Sequence, residues 1–289
     1  MTKDRSNIKT RFYVLLICLF IFAVWCLLTY RMGVKAVILP SPTDIVDAYI
    51  KLAPTLPESI LASLKITLIG FAIGAAVGLL MGLVMGYSKS FLQVIGPFME
   101  ITRPIPVFAL IPLFMLWFGI GIMPQVLLIA LGVSSVLGVQ TYEAIRNMPV
   151  IYVRAAFNLG ATKMQVFKTV VIPCIVPHLI GAVRVAAATS WGLDVCAEFM
   201  GVQTGLGHTM IIQQNYLNTP QVLAIVLIYS VLAIGLDQII RVIERRATTW
   251  TERSSLSFEG LTVEGKMSRK EKQAEREALK ALKKTKMEE

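Results

Sequence analysis

The sequence predicts an all-α membrane protein with six transmembrane helices. Hydrophobic residues make up 55% of the 289 positions and charged residues only 16%, and the mean hydropathy is +0.68. A soluble domain of ordinary composition carries about 25% charged residues. The apolar residues are gathered in runs long enough to cross a bilayer, which takes about 20 residues of helix. The short segments of alternating hydrophobicity that are typical of a membrane β-barrel are not visible.

Six apolar runs are long enough to form these helices. They cover residues 12–30, 61–87, 91–118, 123–142, 173–199 and 222–243. The first run is longer than the apolar core of a signal peptide and no small-residue cleavage site follows it, so we expect it to be retained. The chain thus divides into an N-terminal span with an outer segment (1–57), a transmembrane core (58–250) and a charged tail (251–289).

The basic residues between the spans predict the orientation, because the cytoplasmic segments of membrane proteins are enriched in Lys and Arg. With the N-terminus inside, the inner segments before the tail hold Lys3, Arg5, Lys9, Arg11, Lys89, Arg146, Arg154, Lys163, Lys168, Arg241, Arg245 and Arg246. The outer segments hold only Arg31, Lys35 and Lys51. We therefore expect a multi-pass protein of the cell membrane with both termini in the cytoplasm, and the positive charge indicates topology rather than nucleic-acid binding.

The outer segment contains LPSPTDIVDAYIKL, residues 39–52. Ser41 or Thr43 could cap a short helix here. Its apolar face would carry Ile45, Val46, Tyr49 and Ile50. The pattern predicts an amphipathic helix that lies at the outer membrane surface.

The second span carries five glycines at four-residue spacing. They are Gly70, Gly74, Gly78, Gly82 and Gly86. Small residues at this spacing let another helix approach closely, which favours a packing role over direct contact with a substrate. Because four residues turn a helix by about 400°, the stripe drifts by about 40° per step and cannot form one straight seam. It serves either two partner helices or one that crosses it.

Ionisable residues in the third and fifth spans are candidates for a translocation pathway, because such groups are costly at membrane depth. They are Glu100, Arg103, Arg184, Asp194 and Glu198. Arg103 and Arg184 could attract an anionic substrate, and Glu100 or Asp194 could neutralise either of them. A structural ion pair or a position at the membrane interface is the alternative for each residue.

The cytoplasmic segment of residues 150–171 predicts a helical hairpin. Residues 150–158 can form one helix, and Gly160 is a typical helix stop. Thr162 followed by Gln165 matches a capping box that opens a second helix. One face of this second helix carries Met164, Phe167, Val170 and Val171.

We expect no catalytic site and no metal site in this chain. The stretch GLTVEGKM, residues 260–267, imitates a phosphate-binding loop but has Met267 where Ser or Thr must bind Mg²⁺, and no buried strand precedes it. His178 and His208 lack acidic neighbours at ligand spacing. The four cysteines contain no CxxC pair.

Two classes of function remain: a transporter subunit driven by a separate motor, and a self-contained secondary transporter or channel. The hairpin favours the first class, because a subunit that is moved by a soluble partner needs a rigid, packed element on which the partner can act. A self-contained carrier tends to show inverted repeats, and no internal repeat is visible.

The stretch RAAFNLGATKMQVFKTVVIP, residues 154–173, resembles the cytoplasmic signature loop of ABC importer membrane subunits. The family pattern is E-A-A, three residues, Gly, about nine residues, an aliphatic residue, one further position and Pro. The residues that carry the resemblance, with one candidate anchor beside them, are Ala155, Ala156, Gly160, Met164, Phe167, Ile172 and Pro173. Ile172 directly precedes Pro173, and Arg154 stands where the family usually has Glu.

Four further motifs, in order along residues 39–250, extend the resemblance to the nitrate, sulfonate and taurine branch of the family. LPSPTDIVDAY resembles the outer-loop signature of this branch, and RPIPVFALIPLFMLWFGIG its third span. AEFMGVQTGLGHTM resembles the loop after its fifth span, and ERRATTW its C-terminal end.

The resemblance implies a type I ABC importer permease fold with cytoplasmic coupling helices. It implies a homodimer of the permease, two ABC ATPase subunits that bind ATP and Mg²⁺, and an extracytoplasmic substrate-binding protein. The substrate would be a small solute, such as a sulfonate, taurine or nitrate. Within the hairpin, Gly160 would make the turn, Met164 and Phe167 would anchor it to the ATPase or to the membrane core, and Pro173 would fix the re-entry into the bilayer.

Overall fold

The computed structural model describes residues 2–102, 105–199 and 204–247, and these residues form helices joined by short connections, with no strand among them. The chain divides into two compact units, Met1–Ala247 and Thr248–Glu289. Everything below concerns the first unit. The predicted tail, residues 251–289, lies outside the described residues.

Eleven α-helices follow one another in the described residues. They are α1 (Thr2–Cys26), α2 (Pro42–Leu52), α3 (Leu56–Tyr87), α4 (Lys89–Thr102), α5 (Ile111–Phe118), α6 (Ile122–Arg146), α7 (Val150–Asn158), α8 (Lys163–Val166), α9 (Ile172–Phe199), α10 (Leu206–Asn215) and α11 (Thr219–Ala247). Three shorter turns join them: a π-helical turn after α1 (Leu27–Arg31), a 3₁₀ turn before α5 (Val107–Leu110) and a π-helical turn before α9 (Phe167–Val171).

Five helical segments of the described part are long and apolar enough to cross a membrane. They are Tyr13–Arg31, Leu56–Tyr87, Ile122–Arg146, Lys163–Phe199 and Thr219–Ile243. The predicted third span, residues 91–118, is not one helix, which corrects the expected count of six continuous spans. α4 ends at Thr102, and a shorter apolar helix covers Val107–Phe118. The sequence explains the division, because Pro104 and Pro106 have no N–H to donate to a helical ladder.

The helix bundle has two ends. At one end, which we call the α2 end, the Tyr49 hydroxyl of α2 donates to the Ala224 carbonyl of α11 over 3.0 Å. At the other end, the hairpin end, the ring of Phe167 lies 5.1 Å from the ring of Tyr87, the last residue of α3. Because α2 directly precedes the first residue of α3 and the hairpin contacts the last one, the predicted hairpin lies at the end of the bundle opposite α2.

The five glycines of α3 all face one helix, α6. A Cβ atom built on each of them would meet Ile129, Ala130, Ser134, Thr141 and Ile145 in turn. Because each later glycine meets a later residue of α6, the two helices run in the same direction and stay in contact over four turns. The spacing left open whether the glycines serve two partner helices or one crossing helix, and in the structure a single helix, α6, contacts all five.

A buried apolar core surrounds α6, where Leu128, Ile129, Val133 and Leu137 have at most 1% of their surface exposed. A second core lies at the α2 end, where Trp191, Leu206, Ile225 and Tyr229 bring together α9, α10 and α11. These two cores fix the relative positions of the four longest apolar helices after α1.

Helix α2 begins where the sequence predicts, with a capping box between Ser41 and Asp44. Hydrogen bonds from the Ser41 hydroxyl and amide hold the pKa of the Asp44 carboxyl below its usual range. Of the predicted apolar stretch, Ile45 is buried against the bundle, whereas Val46 and Ile50 are 57% and 67% exposed.

The buried residues of α2 are Ile45, Ala48 and Leu52. The helix packs on α11 through the side that includes the small Ala48. A count of large apolar residues alone could not select this side.

We expect Gly78→Ala to destabilise the protein by about 1–3 kcal/mol, because the added methyl group would lie 2.6 Å from the Ser134 carbonyl oxygen and 2.8 Å from the Ser134 Cα. Backbone atoms cannot rotate away, so α3 must move off α6. Gly235→Ala is the matched control, since nothing lies within 4 Å of a Cβ at that position. Thermal unfolding of the purified protein in detergent measures the difference, and equal midpoints for the two variants would contradict the packing argument.

Candidate functional site: the hairpin and the charged groups of the bundle

The predicted hairpin is present at residues 150–171, and its first helix has the predicted bounds. After α7 the chain turns at Gly160, whose φ of +83° is a conformation that side chains other than glycine rarely adopt. The Ala161 amide donates to the Ala156 carbonyl over 3.1 Å, and the Thr162 amide donates to the Gln165 side chain over 2.8 Å. The turn is thus fixed by local hydrogen bonds on both sides.

The second arm of the hairpin is not a separate helix. Residues Lys163–Phe199 form one helical segment that passes through the π-helical turn and into the fifth span. In that turn the Ile172 amide donates to the Phe167 carbonyl, five residues earlier. Such a turn accommodates the missing N–H of Pro173 within the helix. The α-helical part of the fifth span thus begins at Ile172, next to the predicted start at Pro173, but the π-helical turn joins it to the hairpin without a break.

Some residues of the apolar face predicted for the second arm pack against the helix bundle, and others are exposed. Phe167 packs on Tyr87, and the Lys163 ammonium lies 4.2 Å above the same ring. Val166 is buried, although the sequence did not single it out, whereas Met164 is 47% exposed. Of the two predicted anchors, Phe167 thus contacts the protein's own bundle and Met164 faces outward.

The outer surface of the hairpin is rich in exposed apolar side chains. They belong to Val150, Ile151, Tyr152, Phe157, Leu159 and Met164, with Leu159 at the tip 89% exposed. Arg154 and Ala155 are exposed on the same helix, Ala156 and Ile172 are half-buried, and Pro173 is exposed. Val150 and Phe157 also line a cleft of about 280 Å³ beside Tyr87 and Phe167, whereas Ile151, Leu159 and Met164 do not. Exposed apolar side chains grouped on one short element are typical of a site of protein or membrane contact.

The candidate pathway residues lie in three different surroundings. Glu100 is exposed on α4 and lines a cleft of about 420 Å³ with Gln93, Tyr142, Glu143 and Arg146. Its predicted partner Arg103 lies outside the described residues.

Arg184 binds a carboxylate that the sequence did not single out. Its Nε donates to Asp237 Oδ1 over 2.7 Å and its Nη2 to Oδ2 over 3.3 Å. Arg241, one turn further along α11, also donates to Asp237 over 2.8 Å. Asp237, and not Asp194, is thus the acidic partner of Arg184. The signal was available, because Asp237 and Arg241 are ionisable residues four positions apart in an apolar span.

Asp194 and Glu198 are completely buried near the α2 end of α9. Glu198 accepts hydrogen bonds from the Ser63 hydroxyl over 2.7 Å, from the Tyr229 hydroxyl over 3.0 Å and from the Gly207 amide. Asp194 lies beside Thr67 and Tyr229, although no hydrogen bond of ordinary geometry joins its carboxyl oxygens to the described residues. In this conformation neither carboxylate faces an open passage.

A cleft of about 270 Å³ between α6 and α9 carries neutral polar groups instead of charges. Ser135, Gln140 and Thr189 line it together with apolar residues of the 3₁₀ turn before α5. The sequence analysis did not select these residues, because hydroxyl and amide side chains are common inside helix bundles and give no distinct signal.

Residues 74–249, more than half of the chain, match the family described as "Binding-protein-dependent transport system inner membrane component". The chain belongs to this family. It is 33% identical over 234 residues to a probable ABC transporter permease protein of Brucella abortus, covering 80% of this chain and 92% of that protein. Membership favours a permease subunit over a self-contained secondary transporter or channel.

Two further relatives are named for their solutes. The taurine transport system permease protein TauC of Escherichia coli is 27% identical and covers 80% of this chain and 86% of that protein. The riboflavin transport system permease protein RibX of Chloroflexus aurantiacus is 34% identical, and the match covers 75% of this chain and 82% of that protein.

The fold is shared with a solved ABC importer. An inward-facing structure of the MetNI methionine ABC transporter superposes with a TM-score of 0.59 at 20% identity, covering 66% of this chain and 94% of that chain. The expected type I ABC importer permease fold is therefore confirmed, apart from the count of six continuous spans.

We expect the effects of Arg184→Gln and Asp237→Asn on unfolding to be less than additive in a double-mutant cycle, because each substitution removes the same ion pair. Both side chains are about one-third exposed, so the coupling should be that of a surface pair and not that of a buried one. Arg241→Gln is the comparison, since its side chain is 45% exposed and should couple more weakly to Asp237. The measurement is thermal unfolding of the single and double variants. Additive effects at Arg184 and Asp237 would mean that the two charges do not support each other.

Proposed function

We propose that this permease subunit forms the pathway of an ATP-driven importer for a small solute that carries an anionic group, such as a sulfonate, taurine or nitrate. In this assembly two separate ABC ATPase subunits bind ATP and Mg²⁺ and supply the motion. A substrate-binding protein delivers the solute outside the cell membrane. Two copies of this chain enclose the pathway.

The exposed apolar hairpin is the observation that carries this proposal. It is a rigid element, because Gly160 and the capping box fix its turn and because Phe167 is packed on α3. Its outer side presents Ile151, Leu159 and Met164, which are 68%, 89% and 47% exposed. Apolar side chains on a helix pair suit the groove of a protein partner better than water. In the proposed orientation the hairpin end faces the cytoplasm, where the ATPases are.

The other residues with coupling roles lie along the same hairpin. Arg154, Ala155 and Ala156 are on α7 and form part of the surface that the ATPase would contact. Ile172 and Pro173 lie where the helix enters the fifth span. Arg154 would replace the usual Glu with a positive charge, so it favours an acidic group on the ATPase at that point.

A second copy of the chain has a suitable surface on α9. Gly181, Ala188 and Gly192 are exposed there, seven and four residues apart, which places them on one face of the helix. Nothing in the described residues lies within 4 Å of a Cβ atom built on Gly181 or Gly192. Small residues allow the close approach of a helix in a membrane. This supports a homodimer in which the two α9 helices lie near each other.

The positive charge within the spans supports an anionic solute. Arg184 and Arg241 both donate to Asp237, so two guanidinium groups are gathered at one place between α9 and α11. The Escherichia coli relative is named for taurine, which carries a sulfonate group. The solute named for the Chloroflexus aurantiacus relative, riboflavin, is not anionic, so the two solutes provide a direct comparison.

We expect ATP-dependent uptake of taurine or an alkanesulfonate, and none of riboflavin, by proteoliposomes that contain this chain with the ATPase and binding protein encoded beside it. Radiolabelled solute accumulated per ATP hydrolysed is the measurement. Equal uptake without the ATPase would contradict the ATP-driven subunit and favour a self-contained carrier. ATP-driven uptake of riboflavin alone would contradict the anionic substrate.

We expect Gly160→Val to leave membrane insertion intact and to lower uptake per ATP hydrolysed by about fivefold or more, because a left-handed backbone costs a β-branched residue about 1–2 kcal/mol and the turn must change. Gly33→Val is the matched control. Gly33 also has a left-handed backbone, with φ of +64°, and nothing lies within 4 Å of a Cβ at either position. Gly33→Val thus introduces the same kind of backbone strain at a position outside the hairpin. Normal coupling in the Gly160 variant, or an equal loss in the Gly33 variant, would contradict the role of the hairpin turn.

A further inference from the structure

Glu198 lies where four helices meet at the α2 end. It belongs to α9 and is fully buried. Its carboxylate accepts from the Ser63 hydroxyl of α3 over 2.7 Å and from the Tyr229 hydroxyl of α11 over 3.0 Å. It also accepts from the Gly207 amide in the first turn of α10. The amides at a helix N-terminus have no partner within their own helix, so a carboxylate there satisfies them and complements the helix dipole.

Two glycines make room for this carboxylate. Gly205 has a φ of +117°, and a Cβ on it would collide with the carboxyl group of Glu198. A Cβ on Gly207 would lie 2.8 Å from the Glu198 Cβ. Leu206 between them is completely buried, and its amide donates to the Ser63 hydroxyl over 2.9 Å. The segment Gly205–Leu206–Gly207 therefore fits closely around the Glu198 carboxyl group. We call this segment, together with the donors Ser63 and Tyr229, the carboxylate seat.

The helical segment that carries Glu198 also carries the second arm of the hairpin. It runs without interruption over Lys163–Phe199, which corresponds to about 55 Å at the rise of an α-helix. The hairpin lies at its first residues, and Glu198 is one residue before its end. Glu198, in the carboxylate seat, and the hairpin therefore lie at the two ends of one rigid element.

We propose that Glu198 is a positioning residue that fastens the outer end of this segment to α3, α10 and α11, so that contact of the binding protein with the α2 end is transmitted to the hairpin. This rests on the proposed function. Any shift of α9 relative to the other three helices removes at least one donor from a buried carboxylate, which is far more costly than losing a neutral hydrogen bond. The four helix ends consequently move as one body.

The test uses Glu198→Gln in the complete transporter in lipid nanodiscs. An amide of the same size has one accepting oxygen and places an NH₂ group against donors. We expect hydrogen–deuterium exchange of the α10 amides to increase about tenfold or more. We also expect the ratio of binding-protein-stimulated to basal ATPase activity to fall by about threefold or more, because the docking signal no longer reaches the hairpin.

Further variants keep the proposal testable if Glu198→Gln does not fold. Tyr229→Phe removes one donor and keeps the ring that packs on Trp191 at 6.0 Å, so a smaller change of the same sign is expected. Gly205→Ala disturbs the carboxylate seat from its other side. Gly235→Ala is its control, with nothing within 4 Å of the added Cβ.

The outcomes separate this inference from the proposed function. Unchanged exchange in α10 of the Glu198 or Gly205 variants would overturn the carboxylate seat. Faster exchange of the α10 amides with an unchanged ratio of stimulated to basal ATPase activity would contradict the idea that the contact is transmitted to the hairpin. A wild-type transporter whose ATPase activity the binding protein does not stimulate would instead contradict the proposed function.

Discussion

The rest of the bundle depends on the close approach of α3 to α6. At Gly74 and Gly78 the atoms that oppose the glycine are carbonyl oxygens and Cα atoms of α6, so the distance between the two helices is set by backbone rather than by adjustable side chains. α6 also packs against α9, where Leu193 fills the space beside Gly132. The clefts that carry Ser135, Gln140, Gln93 and Glu100 lie on the surfaces of α6 that these contacts leave open. A change in the spacing of α3 and α6 would therefore alter the core and both clefts together.

The hairpin is joined to this bundle at two points. One is the uninterrupted helix that leads from Lys163 into the fifth span, and the other is the contact of Phe167 with Tyr87 at the end of α3. Because α3 and α6 are held together by backbone contact, a force on the hairpin reaches α3, α6 and α9 at once. A surface loop of the same length without these attachments would move by itself and leave the spans where they are.

Features that depend on neighbouring residues could be predicted from the sequence, and features that depend on distant residues could not. The bounds of α7, the capping box at Thr162 and the glycine stripe follow from local hydrogen bonding and helix periodicity, and Ser41 is one of the two caps that the sequence offers for α2. The sequence could not select the buried side of α2, since that depends on the shape of α11. The joining of the hairpin to the fifth span was missed because a proline normally ends a helix, and a π-helical turn that accommodates it has no sequence signal. Asp237 itself could have been singled out as an ionisable residue of an apolar span, but its pairing with Arg184, 53 residues away, depends on how α9 and α11 pack.

The charged residues of α9 show why ionisable groups in a span do not by themselves locate a pathway. Asp194 and Glu198 are enclosed by protein, and the donors around Glu198 come from three other helices, which is the arrangement of a structural tie. Arg184 is half-buried and shares Asp237 with Arg241, which joins α9 to α11. The cleft between α6 and α9 is lined instead by hydroxyl and amide groups. In this bundle the ionisable residues of α9 hold helices together, whereas neutral polar side chains line the open cleft, so charge within a span is a poor guide to where a solute would pass.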